Sequence, residues 1–344
     1  MIHATLSYPF QAPEPGHSLE VAPGVRWIRL PLPYRLDHIN VWAIEDGEGW
    51  TLVDTGARTE QTVAVWEQLT AQAPLDRPLA RVLVTHMHPD HIGMAGWLTR
   101  RHGVKLWISR LEYLSCRALV SDTSREAPQD ALQFYREAGW GEAALEGYRA
   151  RFGGFGKHVY ALPDSFHRLE DGQRIRMGAH AWEVITGSGH SPEHASLYCA
   201  DLRLLISGDQ VLPRISSNVS VFPMEPDADP MADWLASLDR VRSRVPDDVL
   251  VLPAHHGCFH GLHARIEQLR RDQHDALASL RAAIAQPQRV VDVFPALFRK
   301  PITQSDASQL GLATGEAIAC LNHLLHRGEA RRELRDGVAW YVAA

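Results

Sequence analysis

The stretch "LVTHMHPDHIGMAG" sets three histidines and an aspartate, His86, His88, Asp90 and His91, within six residues. Imidazole nitrogen and carboxylate oxygen are the donors that Zn²⁺ accepts besides thiolate. In an HxHxDH turn, side chains two residues apart can converge on one ion while the neighbouring Asp and His face a second. Four local side chains do not complete two coordination shells, so distant donors are required. The chain offers three, each at the end of a run that reads as a strand: His190 after "WEVITGSG", Asp209 after "LLISG" and His255 after "VLVLPA". Loops at one end of a sheet are where functional groups collect on a rigid scaffold. Asp209, a carboxylate, is able to bridge two ions. A plain polar turn after a strand would not match every one of these strand ends.

The elements that must position these residues are short. "VRWIRLPL", "INVWAIED" and "WTLVDTG" read as strands, with a hairpin turn at "DGEG". A helix follows, on the spacing of Val63, Trp66 and Leu69, before the strand "ARVLVTH" that carries the first cluster. "VKLWISR" is a further strand, and residues 111–157 change to a helical pattern. Strands resume with "HAWEVITGSGH", "ASLYCAD", "RLLISGD" and "VLVLPAHHG". Strands interleaved with helices predict α/β layering. From Leu262 the pattern is helical again, with Ile266, Leu269, Leu277, Leu280 and Ile284 on one face and a stop at Pro287. "TGEAIACLNHLLHRG" predicts a helix capped by Thr314 and ended by Gly328. A terminal hairpin turns at Arg335-Asp336-Gly337.

Taken together, "VDTG", "THMHPDH", "GSGHSPEH", "SGDQ" and "LPAHHG" resemble the motif set of the metallo-β-lactamase superfamily, in the family's order, over residues 25–257. The resemblance implies an α+β fold, a four-layer αββα sandwich. It implies that His86, His88 and His190 hold one metal, that Asp90, His91 and His255 hold another, and that Asp209 bridges them. It makes Asp54 a buried aspartate bracing a ligand, and His194 a support of its loop. Two Zn²⁺ per chain are expected, iron and manganese being the alternatives. One departure is local: the family's Pro-Gly-His-Gly reads here Pro253-Ala254-His255-His256. His255 is taken as the ligand by its distance from the proline, leaving His256 to a role around the metals or toward substrate. Another is the 99-residue separation of His91 and His190. Its excess falls in residues 111–157, which reads as an inserted lid or wall. The aromatics there (Tyr113, Phe134, Tyr135, Trp140, Tyr148, Phe152, Phe155) fit the core of a helical subdomain better than an acyl pocket. The C-terminal helices and hairpin resemble a small winged-helix appendage. The expected domains are therefore a catalytic one over 1–261 and a winged-helix-like one over 262–344.

The implied activity is hydrolysis of an activated carbonyl, a thioester or ester such as an acyl-CoA or glutathione thioester, by a hydroxide bridging the metals, with Asp90 orienting it. The metal site is similar to that of hydroxyacylglutathione hydrolases. Competing readings are a lactonase or β-lactamase-type hydrolase, an endoribonuclease, and a mononuclear iron dioxygenase. Composition narrows these. Net charge is −6, and residues 262–344 carry eleven basic against nine acidic side chains, which speaks against nucleic acid as partner. A small acyl substrate is the expected partner, with a homodimer left open. The opening "MIHATLSYPFQAPEPGHSLE" lacks the basic and apolar run of a signal peptide, and no apolar run is long enough to span a membrane. Four scattered cysteines (Cys116, Cys199, Cys258, Cys320) without a CxxC pair fit reduced thiols in a cytoplasm.

Overall fold

Alternating β-branched and aromatic residues open the chain as a meander: β1 (Ser18–Ala22), β2 (Val25–Pro31), β3 (His38–Asp46) and β4 (Gly49–Val53), each antiparallel to the last. The computed structural model describes residues 6–303 and 307–344. β5 (Leu79–Leu83), β6 (Leu106–Ser109) and β7 (His167–Leu169) extend the meander in parallel into a seven-stranded sheet, ordered β1 to β7. Parallel neighbours need crossover connections. These are α1 (Glu60–Thr70), then the single turn α2 (Pro89–Ile92) with α3 (Ala95–His102), then α4 (Arg110–Ser121) and beyond. Thr59 caps α1 by accepting from the Thr62 amide. Trp66 and Leu69 of α1, Leu98 of α3, and Tyr113 and Cys116 of α4 pack in one cluster with Ile28, Leu30 and Val82 of the sheet.

β8 (Arg174–Met177), β9 (His180–Gly187), β10 (His194–Cys199), β11 (Leu204–Gly208) and β12 (Leu250–Pro253) form a second sheet, ordered β12-β11-β10-β9-β8. Its last pair, β11 and β12, is parallel. Trp27, Trp42 and Leu83 from the first sheet meet Trp182, Val184, Leu197 and Leu252 from the second in one buried cluster. Each such side chain contributes about 1.5–3 kcal/mol on burial, so this seam holds the two sheets face to face. The C-terminal half of α7 (Pro230–Arg244) lies against β9: Ser237 Oγ donates to the Ser188 carbonyl and Arg240 to that of Thr186. Helices, two facing sheets and helices again make the four layers of the αββα sandwich.

The chain divides into two compact units. The first holds both sheets and comprises Met1–Thr123, Gly154–Ser217 and Ser237–Ile266; the second comprises Ser124–Gly153, Asn218–Ala236 and Glu267–Ala344. The second contains α5 (Gln129–Glu137), α6 (Glu142–Arg151), most of α8 (Leu262–Ala283), α9 (Phe294–Leu297) and α10 (Ala307–His326). Its three-stranded sheet runs β13 (Gln288–Arg289), β15 (Val338–Ala343), β14 (Ala330–Arg335). The β14–β15 hairpin turns on Asp336 and Gly337, both at positive φ, as a two-residue turn of the right hand requires. Tyr135 and Trp140 are buried with ring centroids 4.2 Å apart, part of this unit's core.

Thr314 does not cap a helix. It sits inside α10, where its Oγ1 accepts from Trp140 Nε1 at 2.9 Å. The buried row Leu310, Ala313, Ala317 carries the helix past it, so packing overrides the capping signal. All four cysteines are buried and unpaired. Among the described residues no helix is long and apolar enough to cross a membrane.

Candidate metal centre

The first cluster forms where β5 runs out. Asp54 at the end of β4 donates its amide to the Leu83 carbonyl, holding the two parallel strand ends level. His88 has extended backbone at the start of α2, and Pro89 at the first helical position presets the turn that carries Asp90 and His91. Gly93 closes that turn so tightly that a side chain would press on the Pro89 and Gly56 carbonyl oxygens. The second sheet brings the remaining donors to the same place. His190 lies in the β9–β10 loop, Asp209 follows β11 and His255 follows β12. The Ala195 amide donates to the Thr85 carbonyl at 2.8 Å, tying one sheet's cluster to the other's.

Two donor groups result. His86, His88, His190 and Asp209 can hold one metal ion, and Asp90, His91 and His255 another. His86 Nε2 lies 2.9 Å from His88 Nδ1 and 3.2 Å from His190 Nε2. Asp209 faces both groups. Its Oδ2 is 3.3 Å from His190 Nε2, while its Oδ1 is 3.4 Å from His255 Nε2 and 3.6 Å from His91 Nε2. Asp90 Oδ2 completes the second group at 3.4 Å from His255 Nε2 and 3.7 Å from His91 Nε2. Ligand bonds of about 2.0–2.1 Å in a tetrahedral site put neighbouring donors about 3.3–3.4 Å apart, so these spacings fit zinc-sized shells. His91 Nε2 and Asp209 Oδ1 are moreover buried without a hydrogen-bond partner, a cost that a bound cation would remove.

Comparison with known proteins agrees. The Metallo-beta-lactamase superfamily matches residues 34–256. The chain belongs to the metallo-β-lactamase superfamily. The Metallo-beta-lactamase-like, C-terminal domain matches residues 277–344. A solved beta-lactamase domain protein from Burkholderia ambifaria is similar at 41% identity over 99% of each chain, with a TM-score of 0.90. The probable metallo-hydrolase YqjP of Bacillus subtilis is 23% identical over 80% of this chain and 86% of its own. The hydroxyacylglutathione hydrolase GloC of Haemophilus influenzae is 22% identical over 62% and 82%. Like its metallo-hydrolase relatives, this superfamily member is a metal-dependent hydrolase.

Hydrogen bonds decide which nitrogen each superfamily histidine offers. His91 Nδ1–H donates to Asp54 Oδ2 at 2.8 Å, and His255 Nδ1–H to the His38 carbonyl at 2.8 Å, so both Nε2 atoms face the site. Thr85 Oγ1 donates to Asp54 at 2.8 Å and lies 3.1 Å from His86 Nδ1, from which it can accept. Asp54, held at φ 63°, thus holds His91 directly and reaches His86 only through Thr85. His194 does not point at the cluster through Nε2, which accepts from the Asp209 amide at 3.1 Å. Gly208, at φ 51°, makes room for that ring, since a side chain there would strike His194 Nε2.

The electrostatics of the halves differ. Burial, reinforced by neighbouring histidines, drives His86 well below the ordinary imidazole value; burial and then His190 push His88 down to about 3. Both therefore offer neutral lone pairs. Burial also works against charge on His91, yet Asp54, Asp90 and Asp209 outweigh it and hold His91 well above the usual value. His255 is raised in the same way, its burial outweighed by Asp209 and Asp90. Asp90 and Asp209 stay low because these histidines outweigh their burial. The acidic groups around His91 and His255 thus favour positive charge in this half, as a proton or a metal ion.

Asparagine at 54 keeps the size but turns an amide N–H toward His91. The histidine then moves its proton to Nε2 and loses its donor. Asp54→Asn is expected to weaken one metal position by about 10–100-fold, the usual cost of losing a ligand's hydrogen-bond partner. A zinc competition titration that finds both positions unchanged would refute that role.

His256 occupies the place of the family's last glycine and has the matching backbone, φ 68°. Its amide donates to His38 Nε2 and its carbonyl accepts from Asn40 and Arg29. Burial, with His38 and His255 nearby, pushes its imidazole down to about 4. Two residues were not singled out from sequence. His38 supplies the carbonyl that fixes His255. Glu112, 0% exposed in the first turn of α4, accepts from Met87 N, Ser191 Oγ and Glu193 N. Burial pushes its carboxyl up, against three hydrogen bonds that favour its charged form. The available signal was a carboxylate on the same helical face as Tyr113 and Cys116, the face this helix buries.

Proposed function

We propose that the chain is a dinuclear-zinc hydrolase of small acyl thioesters or esters. The observation that carries this reading is Asp209, one carboxylate whose two oxygens face two separate donor groups. His86, His88 and His190 would hold one zinc, and Asp90, His91 and His255 the other. When bound there, zinc ions lower the pKa of water and polarise a carbonyl oxygen. Asp90, part-exposed and kept a carboxylate by His91 and His255, would orient an attacking water by accepting a hydrogen bond from it. A thiolate or alkoxide of low basicity departs without a proton donor, and no acid besides the cluster is then needed.

The hydroxyacylglutathione hydrolase among the relatives supports the thioester class. The near-balanced charge of residues 262–344 supports a small substrate over RNA, and four buried, unpaired cysteines suit a cytoplasmic enzyme. The test is metal analysis with a substrate panel: acyl-CoA and glutathione thioesters, lactones, β-lactams and single-stranded RNA. The expected result is two zincs per chain and thioester turnover. One iron with oxygen consumption, or salt-sensitive RNA cleavage with no esterase activity, would replace this reading.

A further inference from the structure

We propose that Glu112 is a positioning residue that locks the His86–His88 loop to the His190 loop and so sets the affinity of the metal position those three histidines define. The inference rests on the two-metal reading but concerns a residue outside both donor groups. Glu112 Oε2 accepts from the amide of Met87, the residue between His86 and His88, at 2.8 Å. Its Oε1 accepts from Ser191 Oγ and from the Glu193 amide, each at 2.7 Å, one and three residues past His190. One carboxylate therefore spans two loops more than a hundred residues apart in sequence, and among the described residues its hydrogen bonds all go to them.

The lock is reciprocal. Glu193 Oε2 accepts from the Leu111 amide at 2.9 Å, in the first turn of α4, where a helix has free N–H groups. The Glu193 carbonyl accepts from Ser109 Oγ at 2.6 Å, one residue before that helix begins. The glutamate of α4 thus satisfies backbone of the His190 loop and the loop's glutamate satisfies backbone of α4, so the two fix one another. Nothing equivalent joins Glu112 to Asp90, His91 or His255, so its influence falls on one metal position.

Glu112→Gln tests this with little change of volume. An amide oxygen can serve Ser191 and Glu193, but its NH₂ then meets the Met87 N–H, donor against donor; the flipped amide fails the other loop instead. Either way one ligand loop loses its hold. In a competition titration of metal-free protein with Zn²⁺ alone, one position should keep its affinity and the other weaken by about 10–100-fold. Added to His190→Ala, which removes a donor from that same position, the change should cost little more. Added to Asp54→Asn, it should act independently.

Two unchanged positions would overturn the proposal, as would equal weakening of both with a large fall in the melting temperature of the metal-free protein. If Glu112→Gln does not fold, Ser191→Ala removes a single donor. It should weaken the same position severalfold, and no change there overturns the proposal equally. Failure of the functional reading looks different. A wild-type chain that binds two zincs but hydrolyses no thioester sinks the substrate class and leaves Glu112 its role. A wild-type chain that takes up fewer than two sinks both.

Discussion

Replacing Asp209 by asparagine is expected to lower kcat/KM by on the order of 10³-fold, the upper end of what losing one electrostatic stabiliser costs. The reason is geometric. Oδ2 serves the side of His190, and Oδ1 serves His91 and His255. Asparagine keeps one oxygen and puts an N–H donor where the other stood, so one metal position faces a proton instead of a lone pair. The backbone should not notice, because the Asp209 amide still donates to His194 and its carbonyl still accepts from Ser217. The variant should therefore fold, bind about one zinc per chain, and turn over poorly. Two zincs with full turnover would show that the carboxylate does not bridge.

Removing the metals is the second large effect. Each site at a thousandfold excess over its dissociation constant adds about 4 kcal/mol to the folded state, so stripping with a chelator should lower the melting temperature by on the order of 10 °C. Activity should vanish and return with added zinc. The effect carries a pH dependence whose sign follows from the shifted histidines. His91 and His255 lie above the ordinary imidazole value when no metal is bound, so they hold protons that a metal must displace. Zinc affinity should therefore rise with pH until both have lost their protons, and fall as pH drops below that range. His86 and His88, already depressed, impose no such demand near neutrality. On acidification the position of Asp90, His91 and His255 should empty first. Stepwise release followed by zinc analysis across pH 5–8, roughly the range of histidine titration, checks this; simultaneous loss of both metals contradicts it.

That these seven side chains come together in two groups was legible because each sits where a strand stops, and strand ends can be read from hydrophobic runs. The superfamily fold followed from the same motifs. What could not be read depends on contacts far apart in sequence. Glu112 gains its meaning only when Met87 and Ser191, 25 and 79 residues away, are folded against it. The His38 carbonyl belongs to the backbone and leaves no mark on residue type. Thr314 misled because capping is a local preference, whereas the row from Leu310 to Ala317 answers to packing. β7 and β8 escaped notice for their length, three and four residues.

The second compact unit is assembled from three stretches, the last of them running from Glu267 to Ala344. That order has a consequence for biosynthesis. On a ribosome, α5 and α6 emerge long before α10, whose Thr314 receives the Trp140 indole N–H. The Trp140 indole N–H must therefore wait for its acceptor until residue 314 has been made. A nascent chain stalled before α10 would leave the Trp140 indole N–H without that acceptor, so this unit can close only after the stretch that begins at Glu267 has followed.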